Sequence, residues 1–266
     1  MDYDPDGSGA YSLLTPSYIA RGDRDIPYAL KKHFRYSSAF GRFKSDYSDA
    51  IWKTLIKEEL DKGRPILYSG EDVSAGGHGF ICDGYDNNDK FHFNFGWNGS
   101  YDGYYALTAI TPDSYNFSSS QNAIFAFVPD SLNTEPNPAD LRLCSNKMTI
   151  SSTTVTSNGS LSIEGRFANY GYDTLKNGQI GLAIYDHAGN LVVPRQAGNF
   201  SIMNPYSILK PTFTVQLNGI AQGAYYAKLC YKLNGDTNWY FIGDDANQTE
   251  MLRNRVDFDV LSDKYI

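Results

Sequence analysis

Cysteine is scarce in this chain: among 266 residues there are three, at 82, 144 and 230. The set is odd in number and shows no CxxC spacing, which excludes a disulfide framework and the familiar zinc patterns. Cys82 and His78 could share one strand face, yet four residues at about 3.3 Å each would hold them roughly 13 Å apart. That is too far for two ligands of one metal, so neither a metal nor a cofactor is expected. Positive charge is also short, with 23 Lys and Arg against 30 Asp and Glu, a net charge of -7 and a pI near 5.0. Without a basic stripe to neutralise phosphates, a nucleic-acid partner is excluded. No run approaches the roughly 18 consecutive apolar residues of a membrane-spanning helix. The opening residues Met1-Asp2-Tyr3-Asp4 are acidic with no apolar run behind them, so no signal peptide is expected in this chain.

What is plentiful is aromatic: 15% of the residues, 21 of them Tyr. Rings pack well on pleated surfaces, and this content leans toward strands. The length suits one large or two ordinary domains. Two helices are expected early. The first is capped by Asp25, carries Pro27 in its first turn and places Ile26, Leu30 and Phe34 at four-residue spacing. The second is capped by Ser48, aligns Ile51, Trp52, Leu55, Ile56 and Leu60 in one apolar stripe, and ends at Gly63. Strands are expected at 65–70, 78–84, 90–96, 103–108 and 122–128, with Asp86-Asn87-Asn88-Asp89 as a hairpin turn.

Residues 129–138 are polar and proline-bearing and read as a connector, giving domains at 1–130 and 140–266. The second half changes to short strands between turns. Leu161 to Phe167 alternates, as does Ile180 to Tyr185 before the turn His187-Ala188-Gly189-Asn190. Further runs are Phe213 to Leu217, Tyr225 to Leu233, Trp239 to Ile242 and Val256 to Val260. Seven or so short strands imply an immunoglobulin-like β-sandwich, and the whole chain is expected to be α+β.

The segment from Gly76 to Tyr105 offers chemistry. An imidazole held in one tautomer can take a proton from a thiol. A side-chain amide can orient it, and large aromatics can exclude water around the pair. His78 opens one expected strand, Asn94 lies near the end of the next, and Phe95 and Trp97 follow. A hairpin folding at Asp86–Asp89 pairs residues whose numbers sum to about 173–175, which puts His78 opposite roughly 95–97 with Asn94 as near neighbour. Gly76 and Gly77 would let backbone or substrate approach beside the base. A slip of one residue would turn a side chain to the wrong face. From the residues alone, a structural histidine and a catalytic base both remain open.

Residues 1 to about 129 resemble the C-terminal half of the catalytic domain of streptopain-like cysteine peptidases, which have a papain-like fold. The resemblance is carried in order by Met1-Asp2-Tyr3-Asp4-Pro5 with Gly7-Ser8-Gly9-Ala10, and by Ala29-Leu30-Lys31 through Tyr36. It continues with Trp52, Ile56 to Leu60 and Arg64 to Gly70, then Gly76-Gly77-His78-Gly79-Phe80 and Asn94-Phe95-Gly96-Trp97. Asp102-Gly103-Tyr104-Tyr105 and Asn116-Phe117 through Ile124 complete it. It implies His78 as catalytic base and then acid, Asn94 as its orienter, and Phe95 and Trp97 as the aromatic cover. Gly7, Ser8, Gly9 and Gly77 would border the substrate cleft. Phe95 stands where the family often has Trp, and Cys82 falls at an apolar position and reads as a core thiol.

The resemblance also implies a nucleophilic Cys some ~130–150 residues ahead of the His and Asn. Only 77 residues precede His78 and none is Cys. The expectation is therefore a cysteine-type endopeptidase by descent whose chain lacks the nucleophile half and is inactive alone. Its partner would be a protein or peptide substrate, together with a separate Cys-bearing half or an inhibitory propeptide. Secretion or display on a bacterial surface is implied by the family. The rival is a non-catalytic secreted binding or adhesion protein derived from such a peptidase. Other features weigh less. Gly7-Ser8-Gly9 lacks the preceding strand of a nucleophile turn. Asp244-Asp245 reads as a solvated turn, and Trp239, Tyr240, Tyr225 and Tyr226 as sheet packing before ligand binding.

Overall fold

The computed structural model describes residues 12–20, 24–129, 139–144, 148–243 and 253–262. The Gly7–Gly9 loop, the connector at 130–138 and Asp244-Asp245 lie outside the described residues. Two compact units divide the chain at Pro138/Ala139, with the short stretch Tyr170–Tyr172 grouping with the first.

The first unit holds α1 (Pro16–Ala20), α2 (Ile26–His33), β1 (Tyr36–Phe43), α3 (Asp49–Asp61), β2 (Ile66–Asp72), β3 (Gly76–Tyr85), β4 (Phe91–Asn94), β5 (Gly103–Tyr105) and β6 (Ser119–Pro129). The caps form as the sequence implies. The Asp25 carboxylate accepts from the Tyr28 N–H at 3.1 Å, and the Ser48 hydroxyl from the Ile51 N–H at 3.3 Å. Gly63 takes the left-handed conformation after α3, where a Cβ would be strained. The apolar stripe of α3 buries Trp52, Leu55 and Ile56, with Ile51 and Leu60 at its flanks. The α2 stripe fares differently: Ile26 and Leu30 are half-buried and Phe34 is 66% exposed, while Pro27 is covered.

The six strands form one antiparallel sheet in the order β1-β6-β2-β3-β4-β5. β1 was not expected, because its run Tyr-Ser-Ser-Ala-Phe-Gly-Arg-Phe neither alternates nor forms an apolar block. Paired residues share a face, so Tyr68, Phe80 and Phe93 gather on the side that meets α3. Their ring centroids lie 5.1–5.7 Å apart. The indole Nε1–H of Trp52 donates to the Tyr68 hydroxyl at 2.9 Å, and Tyr68 in turn donates to Gln121. The Gln121 amide donates onward to the Leu107 carbonyl at 2.8 Å. Every buried polar atom on this path has a partner, as a dry core requires. Burial pushes the Tyr68 hydroxyl well above the ordinary tyrosine range. At the C-terminal end of α3, Glu59 grips Arg64 through two bonds of 2.6 and 2.7 Å. The same carboxylate accepts from the N–H of Ala126, a residue with φ of 57° in β6.

Among the described residues the elements of the second unit are all strands: β7 (Leu141–Leu143), β8 (Thr149–Ile150), β9 (Thr154–Thr156), β10 (Ser160–Glu164), β11 (Phe167–Asn169) and β12 (Leu175–Asp186), then β13 (Leu191–Met203), β14 (Ile208–Leu209), β15 (Thr212–Gln216), β16 (Gly223–Lys232), β17 (Tyr240–Phe241) and β18 (Val256–Leu261). They form sheets β15-β10-β8, β14-β11-β7 and β13-β12-β16-β18-β9, with β17 paired to β16. Leu143, Ile163, Phe167, Leu182, Val215, Leu229 and Phe258, drawn from all three, meet in one apolar core. The alternating run 161–167 is not one strand. Gly165 breaks it into β10 and β11, in different sheets, and a Cβ there would fall 2.2 Å from Leu229 Cδ1. Buried Asn254 bonds both the N–H and the C=O of Leu229, and also the Ile242 carbonyl. Its amide thus does the work of a missing strand partner.

Candidate active site

The strand carrying His78 is fixed by a three-residue hairpin loop. β2 and β3 pair from Ile66↔Cys82 to Asp72↔Gly76, and Gly76 closes the turn at φ of 85°. Its left-handed conformation after a tight turn matches the usual three-residue hairpin geometry. Asp72 holds the loop from inside: Oδ1 accepts from the Ser74 N–H, the Ser74 hydroxyl and the Ala75 N–H at 2.7–2.8 Å. Oδ2 accepts from the Asn116 N–H at 2.8 Å. These donors, the Ser74 hydroxyl first, hold the Asp72 carboxyl well below the usual carboxylate range. One carboxylate thereby ties the turn before His78 to the segment bearing Phe117.

His78 pairs with Gly70 and, two residues before Phe80, points to the aromatic side of the sheet. Gly70 is required there. A Cβ would sit 2.0 Å from the Phe117 carbonyl oxygen, so only glycine lets this segment cross β2. The His78 ring is half-buried among Trp97 at 4.9 Å, Phe117 at 5.4 Å, Phe80 at 5.9 Å and Phe95 at 6.5 Å between centroids. The Trp97 indole stacks at 23° to the imidazole.

Its Nε2 lies 2.9 Å from the backbone oxygen of Phe95. A carbonyl can only accept, so Nε2 carries the proton and the neutral ring keeps its lone pair on Nδ1. The oxygen is itself well placed. Phe95 has its side chain 1% exposed in the core, and its N–H donates to Asp102 at 3.0 Å. Gly96, Asn98, Gly99 and Tyr101 all take left-handed conformations, folding the loop between Phe95 and Asp102 back on itself.

Asn94 is not brought to the ring. The ladder pairs Ile81 with Asn94 and Cys82 with Phe93, then slips by one residue at a bulge before Gly84↔His92. The sum of 175 lies within the expected range, but Asn94 then shares a face with Ile81, opposite His78. Its Oδ1 accepts from the Gly96 N–H at 2.9 Å, an Asx turn that brackets Phe95. The contact expected of the amide is made by the Phe95 carbonyl, which side-chain pattern reasoning could not identify. Gly77 pairs with Glu71 and is exposed on the face away from the ring. Phe95 and Trp97 both lie against His78, as aromatic cover requires. Phe117 and Asp72 were not singled out: Phe117 stood within a recognised motif, whereas an isolated Asp in a strand gives no signal.

All three cysteines are buried and unpaired by disulfides. Burial pushes the Cys82 thiol far above its ordinary value and raises Cys230 to about 11. A thiol held in its protonated form is a poor nucleophile. No helix among the described residues is long and apolar enough to cross a membrane.

Residues 1–105 match the model of the Peptidase C10 family. The chain is 36% identical over 114 residues to the thiol protease/hemagglutinin PrtT of Porphyromonas gingivalis, covering 43% of this chain and 12% of that protein. It is 33% identical over 115 residues to streptopain of Streptococcus pyogenes, covering 43% of this chain and 26% of streptopain. The chain thus spans about a quarter or less of the curated relatives it matches. Among solved structures, the active wild-type interpain A cysteine protease of Prevotella intermedia is 31% identical, over 37% of this chain and 42% of that one, with a TM-score of 0.36. Over residues 1–105 the chain is similar in sequence to a cysteine-type peptidase family.

Proposed function

We propose that the first unit is the base-bearing part of a papain-like cysteine peptidase catalytic domain, acting on protein or peptide substrates. His78 takes the thiol proton through Nδ1 and returns it to the leaving amine. The observation that carries this reading is the 2.9 Å contact between His78 Nε2 and the Phe95 oxygen under a stacked indole. It fixes the tautomer and leaves one lone pair for chemistry, the arrangement a general base needs. Asn94 is a positioning residue in this account, acting through the turn that aims the Phe95 carbonyl. Trp97 and Phe117 keep water from that bond. The cysteines of this chain are unsuited to be the nucleophile, because each is buried, so the chain alone does not hydrolyse peptides. The second unit is an immunoglobulin-like accessory sandwich, a reading supported by its mostly antiparallel sheets around one apolar core, in which only the β9–β18 pair among the described strands is parallel.

The test is casein hydrolysis by the native gene product, with and without iodoacetamide, beside its His78→Ala variant. Thiol-sensitive hydrolysis that falls by about 10²–10⁴-fold in the variant supports the reading. Hydrolysis unaffected by His78→Ala removes it and leaves the binding protein as the alternative.

A further inference from the structure

On the face of the β13-β12-β16-β18 sheet turned away from the main core, the second unit carries a separate aromatic cluster. Paired residues share a face, so the register sets Leu191, Tyr185, Tyr226 and Asp257 in one row across β13, β12, β16 and β18. Ala183 and Lys228 form the next row, and Gly181, Cys230 and Phe241 the one after it, with Phe241 on β17. Ala183, Tyr185 and Cys230 are buried there, and Tyr226 and Trp239 pack against them. The outermost apolar groups stay open: Leu191 is 41% exposed and Phe241 52%.

Cations gather on this face although the protein has a net charge of -7. The Arg255 guanidinium lies 4.1 Å from the Tyr226 ring centroid and the Lys228 ammonium 5.0 Å from that of Phe241. Arg195 donates to the Tyr185 hydroxyl at 3.4 Å. Arg255 is matched by Asp257 at 2.6 Å. Asp259 stands opposite Ala224, on the far side of Tyr226 from Lys228. Arg195 and Lys228 have no carboxylate partner among the described residues. Two unmatched cations thus border exposed apolar side chains, a local field opposite in sign to that of the whole chain.

The arrangement limits the partner. Tyr226 is flanked by the stacked Tyr185 ring at 5.4 Å and by Arg255, and Phe241 carries Lys228. A nucleobase that binds by stacking meets cations where it needs open rings, and a pyranose meets the same obstacle. Three cations are also too few to track a phosphate backbone. What remains on offer is donors for carboxylates beside apolar surface. Arginine among Tyr, Trp and Phe is the composition of protein-binding hot spots. We propose that this face docks an acidic polypeptide, its carboxylates on Arg195 and Lys228 and its apolar side chains on Phe241 and Leu191. The assignment is independent of the reading of His78.

Fluorescence anisotropy of a labelled random copolymer of glutamate and tyrosine, titrated with the full chain, tests it. In about 50 mM salt the copolymer is expected to bind with a dissociation constant below about 100 μM. At about 300 mM salt, where screening is stronger, binding should weaken by about tenfold. Arg195→Gln with Lys228→Gln is expected to weaken it by about tenfold or more. Phe241→Ala, at an exposed position, should weaken it by about threefold or more and decides the matter if the double variant misfolds. Lys90→Ala with Lys176→Ala removes the same charge elsewhere and should change nothing. Absence of binding, binding untouched by both variants, or an equal loss in the control pair overturns the proposal. Tighter binding of heparin or oligothymidylate than of the copolymer overturns it as well, because the partner would then be an anion of another class.

Discussion

The Nε2 atom of His78 and the backbone oxygen of Phe95 lie 2.9 Å apart, and that oxygen belongs to a residue pinned at three points. Its ring is in the core, its N–H is on Asp102, and the turn that follows is closed by Asn94 on Gly96. The histidine is thus oriented by backbone, and the backbone is oriented by two polar side chains that never touch the imidazole. Asn94→Ala should loosen the turn and raise the rate at which diethyl pyrocarbonate modifies His78, with the far-ultraviolet spectrum preserved. Asn94→Asp, which keeps the accepting oxygen, should restore protection. Equal rates in all three proteins would show that the turn does not hold the carbonyl.

Gly70→Ala places a methyl against the Phe117 backbone at 2.0 Å. Backbone cannot move aside as a flexible side chain can, so the variant should lose about 1–3 kcal/mol in urea unfolding. His78 should become more reactive as Phe117 lifts away. A variant of wild-type stability would mean that the segment does not cross β2 so closely.

Asp72 makes stability depend on acid. Its folded-state pKa is depressed by the donors around it, so its contribution is fully present above the unfolded value of about 3.9. That contribution fades as pH falls through the lower folded value. Asp72→Ala should therefore lower the urea midpoint at neutral pH, and the gap from wild type should narrow below about pH 4. A gap that stays constant into acid would contradict the network.

Glu59 is 5% exposed and serves both the Arg64 guanidinium and the Ala126 N–H. Glu59→Ala strands a buried donor and part of a cation, at a cost of about 2–4 kcal/mol. Differential scanning calorimetry would read it as a lowered transition. No shift would place Arg64 fully in solvent.

The three thiols should be silent toward Ellman's reagent in the folded chain and should all react in guanidinium, because each is buried. A rapidly reacting thiol in the native protein would point to a nucleophile within this chain.

Much of this was legible beforehand, and what was hidden had physical causes. The caps at Asp25 and Ser48, the Trp52 stripe and the turn at 86–89 follow from local rules of spacing and hydrogen bonding. His78, Phe95 and Trp97 were found together because a two-stranded hairpin allows little freedom of register. Asn94 was placed within reach of His78 by that same arithmetic, yet the alternation of faces puts it on the other side. The Phe95 carbonyl was invisible, since every residue has one and only the fold selects which is used. Gly165 lay inside a run that alternates well, and only the contact with Leu229 on another strand explains the break.

The protonation pattern of the His78 ring tests the central claim most directly. In a ¹⁵N-labelled chain, long-range proton–nitrogen correlation spectra at a pH where the imidazole is neutral distinguish a protonated from a bare ring nitrogen. Nε2 is predicted to carry the proton, Nδ1 to show the shift of a free lone pair, and Asn94→Ala to blur that distinction. A proton on Nδ1 in the unaltered chain would contradict the account, because the Phe95 carbonyl would then face a lone pair and no base would point away from it.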